Sequence, residues 1–343
     1  MSVTEKHIEQ ILSGAKTVYF LGAGASNASR FELPTMDRFF SKEDLPLDDF
    51  PELHRFMKSH FRHTCAEAPG LEDVITYLEL ALDRFGSFGK HIDTYLYAAR
   101  EEFNRYVMRR LAYSPVEGKY SCSRFEKLLR HLRPSDSLVT LNYDLIVEST
   151  LDENDFRLDK MAELLNPTIR ATAPAGLHKW EFENGWYLKL HGSINWYYCS
   201  NPDCVGRQFI TVLETHRRDI PPFCNSCGSA IEMVIVPPTM NKAFGKYPRL
   251  GAIWSIVQRE LASSTRIVFI GVGFRLSDYY LSWLIKSSCV GKEHAERLVV
   301  LVDKDEELPD RVEELVGKRP VYCGSLKSYI SALSKMGHAR EYG

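Results

Sequence analysis

Four cysteines in the second half of the chain form two close pairs. Four residues separate Cys199 from Cys204, two separate Cys224 from Cys227, and nineteen lie between the pairs. Tetrahedral zinc sites are built from thiolate pairs at about this separation. Two disulfides are the alternative, but the N-terminal residues carry acids where a secretory signal carries bases and an apolar core. We therefore expect one structural Zn²⁺, held by these four cysteines in a small zinc-ribbon module.

The N-terminal part contains an apolar run followed by a glycine-rich turn. Residues 17–21 (Thr-Val-Tyr-Phe-Leu) lead directly into residues 22–26 (Gly-Ala-Gly-Ala-Ser). This is how a buried parallel strand meets a phosphate-binding turn, because small residues let backbone N–H groups approach a pyrophosphate. Such turns also allow tight packing of a strand against a helix, and the third glycine of the dinucleotide fingerprint is absent. A hydride-transfer Rossmann enzyme is therefore disfavoured.

Further β-prone runs predict an α/β fold with a Rossmann-like parallel sheet. Several of them end at Gly, Asn or Asp, where α/β sheets place their ligands. These runs cover residues 137–141, 186–190, 266–270, 298–302 and 320–322. Between the first two strands, residues 39–133 carry apolar side chains at three- and four-residue spacing, which predicts a helical insertion.

Composition and charge disfavour several classes of protein. The 343 residues are 44% hydrophobic and 26% charged, which is ordinary for a soluble globular protein. The net charge is −2 and the basic residues are interleaved with acids, so we expect no direct nucleic-acid binding. The longest apolar runs are far shorter than the roughly twenty residues of a membrane span. We expect a cytoplasmic protein with no membrane partner.

Polar side chains follow two of the predicted strands. Asn142 and Asp144 come directly after the run at 137–141, and His191 follows the run at 186–190. Each has a local explanation, because Asn and Asp favour helix starts and turns, and a lone histidine is more often structural. Taken singly, these residues do not predict a function.

Taken together, the motifs resemble those of sirtuins in kind and in order. They are Gly-Ala-Gly-Ala-Ser at 22–26, Pro34, Thr-Leu-Asn-Tyr-Asp at 140–144, Lys-Leu-His-Gly-Ser at 189–193, the four cysteines, and Ile-Gly-Val-Gly-Phe at 270–274. The resemblance implies one sirtuin-like domain over residues 1–343. We divide it into an NAD-binding Rossmann-like core (1–38, 134–195 and 239–343), the helical insertion (39–133) and the zinc-binding module (196–238).

The sirtuin resemblance also implies a set of site residues, with NAD⁺ as substrate. Asn142 and His191 would be catalytic, His191 as the base, and Asp144 would line the pocket for nicotinamide and its ribose. The other implied contacts with NAD⁺ are Gly22, Ala23, Gly24 and Ser26 at the pyrophosphate, Gly271 and Ser277 at the ribose or phosphate side, and Asp303 near the adenosine.

Departures from protein-deacylating sirtuins indicate that the ADP-ribose group is transferred to an acceptor other than an acyl-lysine peptide. The segment after the first turn lacks their arginine, and residues 234–242 contain Pro237 and Pro238 where those enzymes pair with an acyl-lysine peptide. Prolines remove ladder donors and so compromise an added peptide strand. Residues 237–242 (Pro-Pro-Thr-Met-Asn-Lys) and 271–278 resemble the sirtuin-like domains of bacterial antiphage defence proteins, chiefly NAD-consuming hydrolases. We therefore expect an NAD⁺ hydrolase (NAD glycohydrolase) that releases nicotinamide and ADP-ribose.

Other functions and the control of the activity stay open at this stage. An NAD-dependent protein deacylase or ADP-ribosyltransferase of sirtuin type would share the same residues, and a non-catalytic NAD or ADP-ribose sensor would bind without cleavage. Uncontrolled NAD⁺ hydrolysis would poison the cell, so we expect gating by a homo-oligomer or by a partner such as an ATPase or sensor. Aromatics on a predicted helix of the insertion could form an interface, although core packing explains each one more simply: Tyr95, Tyr97, Phe103 and Tyr106.

Overall fold

Two β-sheets organise the structure, which is a computed structural model. It describes residues 16–40, 47–61, 69–85, 93–112, 121–167, 184–213, 223–236, 247–275, 278–289 and 297–341. Within these residues the strands are β1 (Thr17–Leu21), β2 (Ser137–Thr140), β3 (Tyr187–Lys189), β4 (Gly192–Cys199), β5 (Thr211–Val212), β6 (Ile231–Ile235), β7 (Arg266–Ile270), β8 (Leu298–Val302) and β9 (Val321–Cys323).

The larger sheet is six-stranded and parallel, in the order β3-β2-β1-β7-β8-β9. Residues of β1 pair in register with both neighbours; Leu21, for example, lies opposite Thr140 and Ile270. Every residue of β1, β2, β7 and β8 is buried, as parallel strands covered on both faces require. The predicted α/β fold with a Rossmann-like parallel sheet is confirmed.

Helices surround the sheet and form the insertion between β1 and β2. They are α1 (Ala23–Asn27), α2 (Pro51–Phe61), α3 (Leu71–Phe85), α4 (Asp93–Leu111), α5 (Ser123–Leu129), α6 (Phe156–Leu165), α7 (Pro248–Ser263), α8 (Tyr279–Cys289), α9 (Leu308–Val316) and α10 (Leu326–Glu341). Local chemistry fixes several ends: the Asp155 carboxylate caps α6 by accepting from the Arg157 N–H, and α9 stops at Gly317 with φ 72°. None of the described helices is long and apolar enough to cross a membrane.

The insertion has its own packed interior. Helices α2, α3, α4 and α5 fall within residues 39–133. Phe103 and Tyr106 are buried, and the Tyr106 hydroxyl donates to the Phe39 carbonyl oxygen at 3.1 Å. Tyr97, in contrast, is 59% exposed. Core packing therefore explains Phe103 and Tyr106, whereas Tyr97 lies on the surface.

The smaller sheet is antiparallel, with the order β5-β4-β6. Strand β4 begins directly after His191 and ends at Cys199, so one continuous strand links the parallel sheet to the cysteines. Both residues of β5 are exposed, in contrast to the strands of the parallel sheet. The division of the chain at residues 39, 134, 196 and 239 stays a prediction.

Candidate active site

A cavity of about 260 Å³ lies at the carboxyl ends of the parallel strands. Residues that follow five different strands line it: Gly22 after β1, Asn142 after β2, His191 after β3, Gly271 after β7 and Asp303 after β8. Parallel α/β sheets bind their ligands at this edge. All the site residues predicted for the nucleotide, except one, line this cavity. The exception is Ser277, which lies outside the described residues.

Two glycine turns form one wall of the cavity through direct backbone contact. The Gly24 N–H donates to the Gly271 carbonyl oxygen at 3.0 Å, and a Cβ on Gly24 would lie 2.8 Å from the Gly271 Cα. Gly271 itself has φ 62°, and a Cβ there would lie 2.1 Å from the Ala25 nitrogen. Only glycine fits such a close approach. The contact explains these glycines by packing alone, so they are not in themselves evidence for a phosphate.

A chain of hydrogen bonds fixes the polar residues behind that wall. The Asn142 Nδ2 donates to the Gly22 carbonyl oxygen at 2.9 Å and to the Ser26 Oγ at 2.8 Å. The Ser26 hydroxyl in turn donates to the Asp144 Oδ2 at 2.6 Å. Because both amide hydrogens of Asn142 are used within the protein, its side-chain carbonyl oxygen is the group that Asn142 offers to a ligand.

Asp144 supports this chain from a buried position. Its Oδ1 accepts from the Ile146 N–H at 3.1 Å, so both carboxylate oxygens have partners within the protein. Burial raises the pKa of Asp144, while the Lys189 ammonium and the Ser26 hydroxyl act in the opposite direction. The Lys189 Nζ donates to the Asp144 backbone oxygen and to the Glu148 Oε1. The carboxylate thus orients Ser26, and through Ser26 it orients Asn142.

His191 is held between aromatic side chains. It is 2% exposed, and its ring centroid lies 6.2 Å from that of Trp254 and 6.4 Å from that of Tyr143. The Trp254 Nε1 donates to the Leu190 carbonyl oxygen at 3.0 Å, and the Val236 N–H donates to the His191 carbonyl oxygen at 2.9 Å. Side-chain packing and backbone bonds therefore fix the orientation of the loop that carries the imidazole.

The four cysteines meet at the far end of β4. Their sulfur atoms all lie within 4.8 Å of one another, with 3.5 Å between Cys199 and Cys227 and 3.7 Å between Cys204 and Cys224. Zinc–sulfur bonds of about 2.3 Å in a tetrahedron place sulfurs about 3.8 Å apart. Burial raises the pKa of the Cys199 thiol to about 12, so its thiolate needs a neighbouring cation. The cluster fits a structural Zn²⁺, as predicted.

Comparison with known proteins rests on structure. No protein-family model and no curated protein sequence matches the chain. A crystal structure of a Sir2 homologue in complex with NAD aligns with a TM-score of 0.51 and 15% identity, over 98% of this chain and 94% of that chain. The chain has the sirtuin fold. A mutant Sir2 homologue in complex with ADP-ribose aligns with a TM-score of 0.48 and 15% identity, over 97% and 98% of the two chains.

The sirtuin fold expected from the motifs is thus confirmed, together with the zinc-type cluster. The roles predicted for individual residues stay predictions, because a likeness at 15% identity extends to the fold and not to the reaction. Within this sirtuin fold the predicted residues nevertheless share one cavity, although they are spread over most of the chain.

Two charged residues of the 271–278 segment line the cavity and received no role from the sequence, and Asp305, after β8, is a third such residue outside that segment. Arg275 and Asp278 both line it, and Asp278 is buried. They belong to the segment at 271–278 that carries part of the family resemblance, but only its first glycine and Ser277 were assigned. A charged residue soon after a strand-ending glycine turn is a signal that could have identified Arg275. Leu71 and Leu111, from the helical insertion, also line the cavity, and nothing in their local sequence indicates this.

Proposed function

We propose that the chain is an NAD⁺ hydrolase that cleaves the nicotinamide–ribose bond and releases nicotinamide and ADP-ribose. The cavity at the strand ends would hold the dinucleotide. Asn142 and His191 line that cavity together with both glycine turns, and this convergence carries the proposal. The Sir2 homologue with the same fold is a complex with NAD, which supports the choice of ligand.

The chemistry requires orientation and one base. As the bond between the anomeric carbon and the nicotinamide nitrogen breaks, nicotinamide leaves as a neutral molecule and positive charge develops on the carbon. Asn142 positions the ribose and a water molecule with its carbonyl oxygen, and Asp144 orients the nicotinamide end through Ser26 and Asn142. The oxygen of that water bonds to the anomeric carbon, and His191 accepts the proton that the water loses, or a proton from a ribose hydroxyl. Such base catalysis typically contributes about a hundredfold to ten-thousandfold.

The backbone after β6 favours water over a peptide as the acceptor. The Val236 N–H donates to the His191 carbonyl oxygen, and the Val236 carbonyl oxygen accepts from the Tyr143 hydroxyl at 2.7 Å. The N–H of this residue is therefore used inside the protein and is not available to an added peptide strand, and its carbonyl oxygen already has one partner. Pro237 and Pro238, which support the same conclusion from the sequence, lie outside the described residues.

A role as a gated, NAD-depleting effector in antiphage defence completes the proposal. It is supported by the resemblance of residues 237–242 and 271–278 to sirtuin-like domains of defence proteins. Gating by a homo-oligomer or a partner would use the helical insertion, where Tyr77, Leu80 and Tyr97 are 52%, 44% and 59% exposed. Light scattering on the purified protein tests assembly: a mass well above 39.3 kDa is expected, and a monomer at micromolar concentration contradicts it.

Nicotinamide release from NAD⁺ is the decisive measurement for the reaction. We expect wild-type protein to release nicotinamide, and Asn142→Ala and His191→Ala each to lose at least about a hundredfold of the rate. His131→Ala is the matched control. Because His131 does not line the cavity, this substitution should leave the rate of nicotinamide release unchanged. Zinc content and melting temperature, measured for each variant, separate loss of chemistry from loss of fold.

The products separate hydrolysis from its rivals. Acetylated peptide should neither change NAD⁺ turnover nor yield O-acetyl-ADP-ribose, and no protein should become ADP-ribosylated. A rate that is unchanged in both Asn142→Ala and His191→Ala contradicts the assigned roles. If zinc-loaded wild-type protein binds NAD⁺ but releases no nicotinamide, even as an oligomer, the result favours the non-catalytic sensor over the hydrolase.

A further inference from the structure

The charges around the cavity are strongly unequal. Four aspartates line it, namely Asp144, Asp278, Asp303 and Asp305, whereas Arg275 is the one lysine or arginine among the described residues that do so. A dinucleotide adds about one negative charge for each phosphate of its diphosphate. Repulsion between like charges grows as water is excluded from a cavity. A cation on the cavity wall would therefore add to any binding of the diphosphate by backbone N–H groups.

Arg275 is carried by a well-fixed stretch of backbone. The preceding residue, Phe274, is buried and has φ 47°, a left-handed conformation that is costly for a residue with a side chain. Its ring packs edge-on against Phe269 of β7, with centroids 4.9 Å apart. The Asp278 N–H donates to the Arg275 carbonyl oxygen at 3.0 Å. The loop thus holds the base of the Arg275 side chain in place beside the glycine turn.

The guanidinium of Arg275 makes a loose ion pair with the insertion. Its Nε lies 3.8 Å from the Glu72 Oε1, which is longer than the 2.7–3.2 Å typical of an N–H···O hydrogen bond. The Arg275 side chain is 36% exposed, so solvent on that side weakens its attraction to the Glu72 Oε1, which is itself buried. A phosphate would offer the same guanidinium shorter, two-pronged hydrogen bonds. The pair with Glu72 is therefore one that a diphosphate can replace.

We propose that Arg275 binds the diphosphate of the dinucleotide and that Glu72 holds the guanidinium at the cavity edge until the ligand arrives. This inference rests on the proposed function and specifies how the ligand is recognised. Glu72 lies in the first turn of α3, next to Leu71, which lines the cavity. Ligand binding thus removes one ionic contact between the insertion and the parallel sheet. A ligand in the cavity therefore changes the contacts of the insertion helices with the parallel sheet.

Calorimetric titration with ADP-ribose tests the assignment. We expect Arg275→Gln to bind ADP-ribose at least about tenfold more weakly than wild type, and Arg275→Lys to fall between the two. Glu72→Gln removes the competing carboxylate and should bind several times more tightly. The ratio of wild-type to Arg275→Gln affinity should shrink as salt is raised, because salt screens charge–charge attraction, whereas a purely structural defect would not follow salt.

Controls keep this outcome separate from that of the proposed function. Arg319→Gln removes an exposed arginine that is paired with Asp310 and Glu313 and does not line the cavity, so it should bind ADP-ribose like wild type. Equal affinity of Arg275→Gln and wild type, or weaker binding by Glu72→Gln, overturns the assignment while nicotinamide release by wild type still supports the hydrolase. Wild type that neither binds ADP-ribose nor releases nicotinamide overturns both.

Discussion

The two sheets of this protein are stabilised in different ways. In the parallel sheet, every residue of β1, β7 and β8 is buried, so the hydrophobic effect stabilises these strands directly. In the cysteine-bearing module β4 and β6 are mostly buried, but β5 is exposed, and two large apolar side chains outside the strands remain in solvent, Val205 at 60% and Phe223 at 64% exposed. Its four sulfurs meet within 4.8 Å of one another. The parallel sheet is thus stabilised by its apolar interior throughout, whereas the exposed part of the cysteine-bearing module, beyond the buried β4 and β6, depends on the metal ion.

Removal of zinc should have the largest effect and should separate the two regions. Structural zinc contributes about 10–16 kcal/mol in zinc-finger peptides at neutral pH, so the module should unfold when a chelator takes the metal. Hydrogen exchange should then show loss of protection at the Cys204 and Cys224 N–H groups, which donate to Asn201 and Ser229, and retained protection in β1 and β7. Retained protection at Cys204 and Cys224 without zinc would contradict this difference between the two regions. Cys323→Ala, in a strand of the parallel sheet, is the matched control and should keep its zinc.

Gly271→Ala should be the next most damaging change, and it acts on the parallel sheet. A left-handed residue with a side chain costs about 1–2 kcal/mol, and forcing extra atoms into a packed contact adds about 1–3 kcal/mol. Gly317→Ala is the matched control: Gly317 has φ 72°, but no atom lies within 4 Å of its added Cβ. Urea unfolding should show the larger loss for Gly271→Ala. Equal losses would mean that the contact with Gly24 contributes nothing.

Ser26→Ala should have an intermediate effect, confined to the cavity. The substitution leaves the buried Asp144 carboxylate without one donor and the Asn142 amide without one acceptor. An unsatisfied buried polar group costs about 1–3 kcal/mol, and nicotinamide release should fall because Asn142 loses its support. Ser255→Ala, at an exposed helix position, should change stability by less than about 0.5 kcal/mol. Wild-type stability and rate in Ser26→Ala would contradict the supporting role of Asp144.

The smallest effect is expected at an aromatic residue of the metal-bearing module. Phe223 is 64% exposed, so Phe223→Ala should change the free energy of unfolding by less than about 0.5 kcal/mol. The same substitution at the fully buried Phe269 of β7 should cost about 3–5 kcal/mol. Chemical denaturation of the two variants measures this difference directly. A large loss at Phe223 would contradict its exposed position outside the buried part of the module.

Local patterns in the sequence predicted the sheet and most of the cavity. Apolar runs ending in Gly, Asn or His mark strands and their carboxyl ends, and parallel strands bring those ends together, which is why Asn142 and His191 share a cavity. Contacts between distant segments have no such local signal. Leu71 and Leu111 reach the cavity from the insertion, and Glu72 pairs with Arg275, only because helices pack against the sheet in three dimensions.

The role of Asp144 shows a second limit of the sequence. Its position after β2 predicts a side chain at the cavity, and the structure places it there. Whether a carboxylate meets a ligand or another side chain depends on rotamers and on neighbours from other strands. Here Ser26 and the Ile146 N–H take both oxygens, so Asp144 lines the cavity and also supports Ser26 and Asn142, while its predicted role toward the nucleotide stays a prediction.

The backbone contact between the two glycine turns has an evolutionary consequence. At Gly22 and Gly24 a methyl group would collide with main-chain atoms of Gly271 or Val272, and at Gly271 it would collide with those of Gly24 or Ala25. Neither partner can make room by shrinking its own side chain, so a substitution on one side has no compensating substitution on the other. Descendants of this protein that lose their chemistry, and are free to change Asn142 or His191, should still inherit all three glycines for as long as they keep the fold.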